Sequence, residues 1–242
     1  MQKRALEEAS GSYPMRINKY LALKKISTRR EADDLVQNKK VFINGRLALL
    51  GDKVNENDKV EVRGKKTNEY VYFAYNKPIG IETSSPREGL FPLGRLDKNS
   101  HGLLILTNDG RITDQLLNPK YFHEKEYLVR TKEKLRGSFK KKMETGVNIE
   151  GPPAQAGYLT KKCKVKIIDD FNFRVILTEG KKHQIRRMCS ALFQEVADLK
   201  RERIMNIKLG NLKGKALREI KGEELNTFLH SLIDPFPSSI HS

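Results

Sequence analysis

The sequence predicts an α+β protein. A small αβ module over residues 14–66 is followed by a larger domain over 67–233 with a mostly antiparallel mixed sheet and flanking helices. Two observations carry this. Near the start, two short helical patterns precede a hairpin signal. Beyond residue 70, many short apolar runs of strand length alternate with turn residues and a few helical patterns. The 242 residues suffice for one large domain or two unequal ones, and no internal repeat or low-complexity tract is present. Residues 1–13 and 234–242 read as tails, the first polar and disordered, the second with Pro235 and Pro237.

In the first module the helical pattern begins at Met15, with Ile17, Tyr20 and Leu21 on one stripe. A second helix starts at Thr28, where Glu31 three residues on completes a capping box. Ala32, Leu35 and Val36 form its buried face and Asn38 ends it. Val41-Phe42-Ile43 and Arg46-Leu47-Ala48 flank Asn44-Gly45, a strong hairpin signal. Lys59-Val60-Glu61-Val62 alternates as a strand, and Gly64–Asn68 reads as a flexible basic linker.

The second domain opens with the aromatic strand Tyr70–Tyr75, terminated by Asn76-Lys77-Pro78. Residues 79–93 read as a mobile loop, followed by the apolar strand Leu103–Leu106. Ile112, Leu116 and Leu117 suggest a short helix closed by Asn118-Pro119. Tyr127–Val129 is a strand, and Leu135–Glu144 a basic helix. Cys163–Ile168 and Phe171–Leu177 make a hairpin about Asp169-Asp170. Ile185–Phe193 reads as a helix, Val196–Leu199 and Ile204–Leu209 as two strands, and Gly222–Leu232 as a last helix.

The chain has a formal net charge of +17, which points to a polyanionic partner: nucleic acid first, an anionic membrane surface second. The excess is not a tail, since residues 1–67 hold 16 Lys and Arg against 9 Asp and Glu and the rest of the chain is basic too. Cys163 and Cys189 stand far apart, in no metal-ligand spacing, and read as free thiols in a reducing compartment. No stretch has the length of a membrane helix and the start lacks the apolar core of a signal peptide, so a cytoplasmic protein is expected. The five histidines fall in no metal-site spacing. Gly210–Lys215 is too short for a phosphate loop, and no Ser or Thr follows its lysine.

One stretch concentrates chemistry. In Gly94-Arg95-Leu96-Asp97-Lys98-Asn99-Ser100-His101-Gly102 a carboxylate and an arginine share a short polar loop bracketed by glycines, which runs straight into the strand Leu103–Leu106 and the turn Asn108-Asp109-Gly110. Gly94–Asp97, Ser100-x-Gly102 and the strand ending in Thr107-Asn108-Asp109-Gly110 resemble the catalytic signature of the pseudouridine synthases, in the bacterial ribosomal branch. Arg16–Leu21, Arg29–Ala32 and Val41–Gly45 resemble the S4 RNA-binding domain that commonly precedes the catalytic domain there. The likeness runs from about residue 15 to 225.

The resemblance implies that Asp97 is the nucleophile. It also implies that Tyr127, in His123–Tyr127, lies against the target base, and that Arg186, in Thr178–Arg187, pairs with the aspartate. Arg95 and Arg187 are candidates for clamping phosphates or filling the gap left by the base, and Lys182 and His183 for contacting substrate. His183 reads as a hydrogen-bonding residue and not a metal ligand. Arg16, Lys19, Arg29, Arg30, Lys39 and Lys40 are the candidate RNA contacts of the S4 module.

The chemistry stands apart from the likeness. An arginine beside a buried carboxylate favours its charged form. Isomerising uridine breaks a C–N glycosidic bond and forms a C–C bond at C5 with no redox change and no atom lost, so no cofactor and no metal is expected. A carboxylate serves as nucleophile, a base removes the C5 proton, and a tyrosine ring can stack on uracil. Whether the carboxylate attacks the sugar or acts first on a sugar proton stays open. Thr160–Lys166 and His123–Tyr127 resemble the F-type large-subunit synthases. This implies ribosomal RNA as the partner, 23S ahead of 16S, with the tyrosine tRNA anticodon loop a further substrate. A monomer with no membrane partner is expected. The rivals are a non-catalytic RNA-binding assembly factor and a DNA base-excision enzyme.

Overall fold

A computed structural model describes residues 13–24, 26–64, 69–150 and 157–233. These divide into two compact units, one reaching to Tyr70 and including Asp109–Arg111, the other comprising the remainder. Residues 1–12 and 234–242 of the expected tails, and 65–68 of the expected linker, lie outside the described residues. Tyr13, the last residue of the first expected tail, packs against the first unit's core.

The first unit runs β1 (Met15–Arg16), α1 (Ile17–Leu23), α2 (Arg29–Gln37), β2 (Val41–Ile43), β3 (Arg46–Leu47), β4 (Lys53–Val54) and β5 (Val60–Val62). The capping box at α2 forms as expected: Glu31 N–H donates to Thr28 Oγ1 and Thr28 N–H to the Glu31 carboxylate. Ile17, Leu21, Ala32 and Val36 meet Val41, Ile43 and Val54 in a single small core. The helix expected from Met15 begins two residues later. Met15 and Arg16 are extended and pair antiparallel with Val54 and Lys53, which lets Met15 and Val54 both be buried. The short β4 was not legible beforehand because two residues carry no periodicity.

The second unit contains β6 (Tyr72–Lys77), β7 (Phe91–Leu93), β8 (His101–Thr107), α3 (Thr113–Leu117), β9 (Lys125–Thr131), α4 (Phe139–Glu144), β10 (Asn148–Ile149), β11 (Tyr158–Leu159), β12 (Lys164–Ile167), β13 (Asn172–Leu177), α5 (Gln184–Ala191), β14 (Val196–Ile204), β15 (Ile207–Lys208), β16 (Leu217–Glu219) and α6 (Gly222–Ile233). One mixed sheet is ordered β12-β13-β9-β14-β8-β6-β16, with β7 on β8 and β15 on β14. Its pairings are antiparallel except β14 with β8, which run parallel through Lys200 opposite His101 and Arg201 opposite Gly102.

The period-2 alternation of strands divides the faces. Val129, Phe173, Val175 and Leu199 pack on Phe139 and Met143 of α4 and Ile185, Met188 and Cys189 of α5. The opposite face carries an ion-pair ladder in which Arg203 meets Glu126 at 2.7 Å and Glu124 at 3.0 Å, and Arg174 meets Glu202 at 2.9 Å. Two expectations change here. The strands expected at 196–199 and 204–209 are one long strand, β14, continuing through the charged run Lys200-Arg201-Glu202-Arg203. Alternation sends Arg201 inward, and a register shift between Arg201 and Arg203 lets Glu202 and Arg203 both join the ladder. The opening strand also runs on through Asn76 and Lys77, so Pro78 alone ends it.

Candidate active site

The Asp97 loop is held by its backbone and not by its side chains. Leu96 N–H donates to Thr83 Oγ1 at 2.9 Å while the Thr83 hydroxyl donates to Leu96 O at 2.7 Å. Gly80 N–H donates to Lys98 O at 2.8 Å, and Ser100 N–H to Asp97 O at 2.9 Å. Leu96 is buried among Tyr75, Leu104 and Leu106. These anchors fix Asp97 and leave its carboxylate half-exposed. They also correct the reading of residues 79–93 as a mobile loop. That stretch is tied down through Gly80, Thr83 and strand β7.

Lys77, which sequence reasoning took for part of a strand terminator, is fully buried. Its ammonium donates to Pro78 O at 2.9 Å and Ile81 O at 2.7 Å and so pins the turn that faces the Asp97 loop. Burial pulls its pKa below the usual lysine value, and the charge of Asp97 opposes that shift.

The segment 178–187 reaches the same place from α5. Glu179, 3% exposed, organises it. Its carboxylate accepts the Tyr158 hydroxyl in a very short hydrogen bond, Lys161 N–H at 2.9 Å and Gln184 Nε2–H at 2.7 Å. Gln184 in turn accepts Lys181 N–H at 2.8 Å. The hydrogen bond to Glu179 is the first cause that pushes the Tyr158 hydroxyl up to about 12. His183 caps α5 in the left-handed region, φ 54. That turn brings its Nε2 to 3.3 Å from Asp97 Oδ1, an ion pair when the imidazole is protonated.

The expected Arg186–Asp97 pair does not form. Arg186 donates to Asn99 O at 2.7 Å and to Val196 O at 3.2 Å. Its planar fork therefore ties α5 to the backbone two residues beyond the aspartate, and His183 contacts the carboxylate instead.

Tyr127 sits on β9 at the seam between the two cores of this unit, packing partly buried against both the α4–α5 cluster and the Leu96 cluster. Arg201, opposite it on β14, is 3% exposed, with its guanidinium 6.0 Å from the Tyr127 ring. Arg201 Nε donates to Leu103 O at 2.7 Å, while Nη2 is buried without a hydrogen-bond partner. Burial, and then the Arg201 charge, lower Lys125 to about 8. Gly102 is required where β8 meets β14: φ is +101 and a Cβ would lie 2.4 Å from Arg201 O.

Arg95 and Lys182 are exposed, and Arg187, half-buried, donates to Lys182 O at 3.4 Å. In the first unit Arg16, Arg29, Arg30 and Lys39 are exposed and Lys19 is half-buried. Lys40 reaches Gly64 O at 3.4 Å. Among the described residues no cluster of His, Cys, Asp and Glu could hold a metal ion, and no helix is long and apolar enough to cross a membrane.

The structure thus brings His183 to Asp97 and Arg186 to Asn99 of its loop and packs Tyr127 against the cluster that holds Leu96, with Lys77, Glu179 and Arg201 as supports that sequence reasoning missed. Comparison with known proteins decides the family. Residues 71–191 match the model of RNA pseudouridylate synthases, and residues 15–60 that of the S4 domain. The chain belongs to the RNA pseudouridylate synthase family. It is 39% identical over 230 residues to the dual-specificity RNA pseudouridine synthase RluF of Escherichia coli K12, covering 87% of this chain and 77% of that one. It is 33% identical over 242 residues to the ribosomal large subunit pseudouridine synthase B of Bacillus subtilis, covering 90% and 97% of the two chains. A solved pseudouridylate synthase superposes with a TM-score of 0.65 at 26% identity over 90% of this chain and 99% of that one. The protein is an isomerase that makes pseudouridine in RNA, built from an S4 module and a synthase domain.

Proposed function

We propose that this synthase modifies 23S ribosomal RNA, with a tRNA anticodon loop as a second substrate, and that Asp97 is its nucleophile. The observation that carries the site assignment is the anchored loop. A half-exposed carboxylate is fixed by backbone bonds on both sides, contacted by His183 at 3.3 Å and flanked by Arg186 on Asn99 O. A nucleophile needs this combination of a rigid backbone and an accessible oxygen.

The target uridine leaves its stack at a cost of a few kcal/mol and enters beside Asp97. Asp97 attacks the nucleotide as the glycosidic bond breaks. Tyr127 packs against the freed uracil while it turns; C5 then bonds to the sugar as the bond to Asp97 breaks, and the C5 proton leaves by way of the Tyr127 oxygen while N1 of the uracil regains one. Arg186 positions the Asp97 loop through Asn99 O, and Arg95 and Arg187 hold neighbouring phosphates. No oxidant, reductant or leaving atom is needed. Two relatives, a dual-specificity RNA pseudouridine synthase and a ribosomal large subunit synthase, support the choice of RNA. The chain acts in the cytoplasm as a monomer.

The test is to incubate the purified protein with unmodified 23S, 16S and tRNA transcripts and map pseudouridine in each. A new site in 23S RNA supports the assignment, and modification confined to 16S RNA contradicts it.

A further inference from the structure

Behind Arg186 lies an open cleft of about 490 Å³, lined by Glu133, Arg186, Ser190, Phe193, Gln194, Glu195 and Val196. Its volume falls in the range of small-molecule and nucleotide sites. Helix α5 ends there in a Schellman motif: Gln194 N–H donates to Cys189 O and Phe193 N–H to Ser190 O, both at 2.9 Å. The residue after the cap must be left-handed, a position that glycine fills at least cost. Here it is Phe193, at φ 59 and 74% exposed.

A bulky residue in this conformation costs stability. Nothing in the fold of α5 needs that ring. The Arg136 guanidinium lies over it at 5.1 Å. Beside it Gln194, 3% exposed, is buried with its Oε1 unpartnered, while its Nε2 reaches Lys134 O at 3.4 Å.

We propose that this cleft is a second base subsite, in which an unpaired amino-bearing base of the RNA substrate stacks on Phe193 and donates an N–H to Gln194. The chemistry of the lining selects that ligand. Phe193 offers a π-face on which any base can stack, and Arg136 adds charge for the adjoining phosphate. Gln194 Oε1 and the Glu133 carboxylate, one oxygen of which already accepts Glu195 N–H at 3.1 Å, are acceptors, so they favour the amino edge of adenine, guanine or cytosine over uracil, whose single donor, N3–H, lies between two carbonyls. Arg186 is shared by the two sites, lining this cleft while it bonds to Asn99 O, two residues past Asp97. The base held here is therefore a neighbour of the target and helps to keep the target splayed. The subsite rests on the synthase reading only for that last step.

The test uses the full-length protein, wild type and with Phe193→Ala, Phe193→Gly or Phe193→Trp, on a protein-free pool of unmodified rRNA and tRNA transcripts. Affinity and turnover are both measured. Phe193→Ala and Phe193→Gly are expected to weaken RNA affinity about tenfold and raise KM in step with little change in kcat, and Phe193→Trp to restore both. Phe193→Gly should melt at or above the wild-type temperature, which separates lost stacking from lost folding. Affinity and KM unchanged in Phe193→Gly would overturn the subsite. So would an effect that appears only with ribosomal proteins present, which would make the face a protein contact. If the wild type binds the pool without making pseudouridine while Phe193→Ala binds worse, the catalytic reading fails and the base subsite stands.

Discussion

Replacing Glu179 by alanine removes an acceptor on which three donors converge: the Tyr158 hydroxyl, Lys161 N–H and Gln184 Nε2. Leaving a buried donor unsatisfied costs roughly 1–3 kcal/mol. Gln184 is itself buried and bears that cost in full, whereas Tyr158 and Lys161 are part-exposed and water recovers much of theirs. The expected loss is therefore about 3 kcal/mol, or a melting temperature lower by roughly 6–12 °C for a chain of this size. The same carboxylate holds the loop that leads to His183, so kcat/KM should fall by at least about tenfold, because small misplacements at a site are costly. Calorimetry reads the first effect and pseudouridine formation the second. A third readout is specific to the contact. In Glu179→Gln the Tyr158 phenol should fall from about 12 toward its ordinary value near 10 in an ultraviolet titration. A Glu179→Ala protein that melts within about 2 °C of wild type would refute this account of the loop.

The remaining predictions concern the seam, the pH response, the thiols and the first unit. Gly102→Ala places a Cβ 2.4 Å from Arg201 O at φ +101 and should cost upwards of about 4 kcal/mol, giving a protein that fails to fold at 37 °C; wild-type expression and melting would remove the close approach of β8 and β14 from the account. Lys125 titrates near 8 in the folded protein and at 10.5 when unperturbed, so between those values the unfolded chain binds the extra proton and stability rises with pH. Lys125→Met should abolish a rise of roughly 3 kcal/mol in urea unfolding between pH 7.5 and 10.5, and an unchanged pH profile would show that Lys125 is not desolvated. Desolvation pushes half-buried Cys163 and buried Cys189 up to about 12, so neither should react with a maleimide at pH 8 within minutes, and rapid labelling would contradict that desolvation. Neutralising Arg29, Arg30 and Lys39 together should flatten the salt dependence of RNA binding by up to about 3 in the log–log slope, and an unchanged slope would take the first unit off the RNA.

What was legible in the sequence had a local cause. The capping box at Thr28, the Asn44-Gly45 turn and the alternation of β13 each follow from neighbouring residues, and each formed. The Asp97 loop was legible because a carboxylate between Gly94 and Gly102 runs into the apolar strand Leu103–Leu106, a stretch that resembles the family's catalytic signature. What was missed depended on tertiary contact. Lys77 and Arg201 look like surface charges by composition, yet both are buried as donors to backbone carbonyls of neighbouring strands and turns. Period-2 counting from Leu199 would have turned Arg201 inward; no local signal marks Lys77. The expected Arg186–Asp97 pair failed for a similar reason. Sequence brings α5 to the loop but does not choose between the carboxylate and the carbonyl of Asn99 as the guanidinium's acceptor.

The central claim is that the Asp97 carboxylate itself carries the reaction. The most direct measurement is pseudouridine formation by Asp97→Asn, which keeps the shape of the side chain and the anchors of its loop, alongside RNA affinity measured on the same preparation. The account predicts no detectable pseudouridine while the RNA Kd stays within about threefold of wild type, since the lost group acts only on the reacting nucleotide. Turnover within about tenfold of wild type would contradict it and move the nucleophile elsewhere.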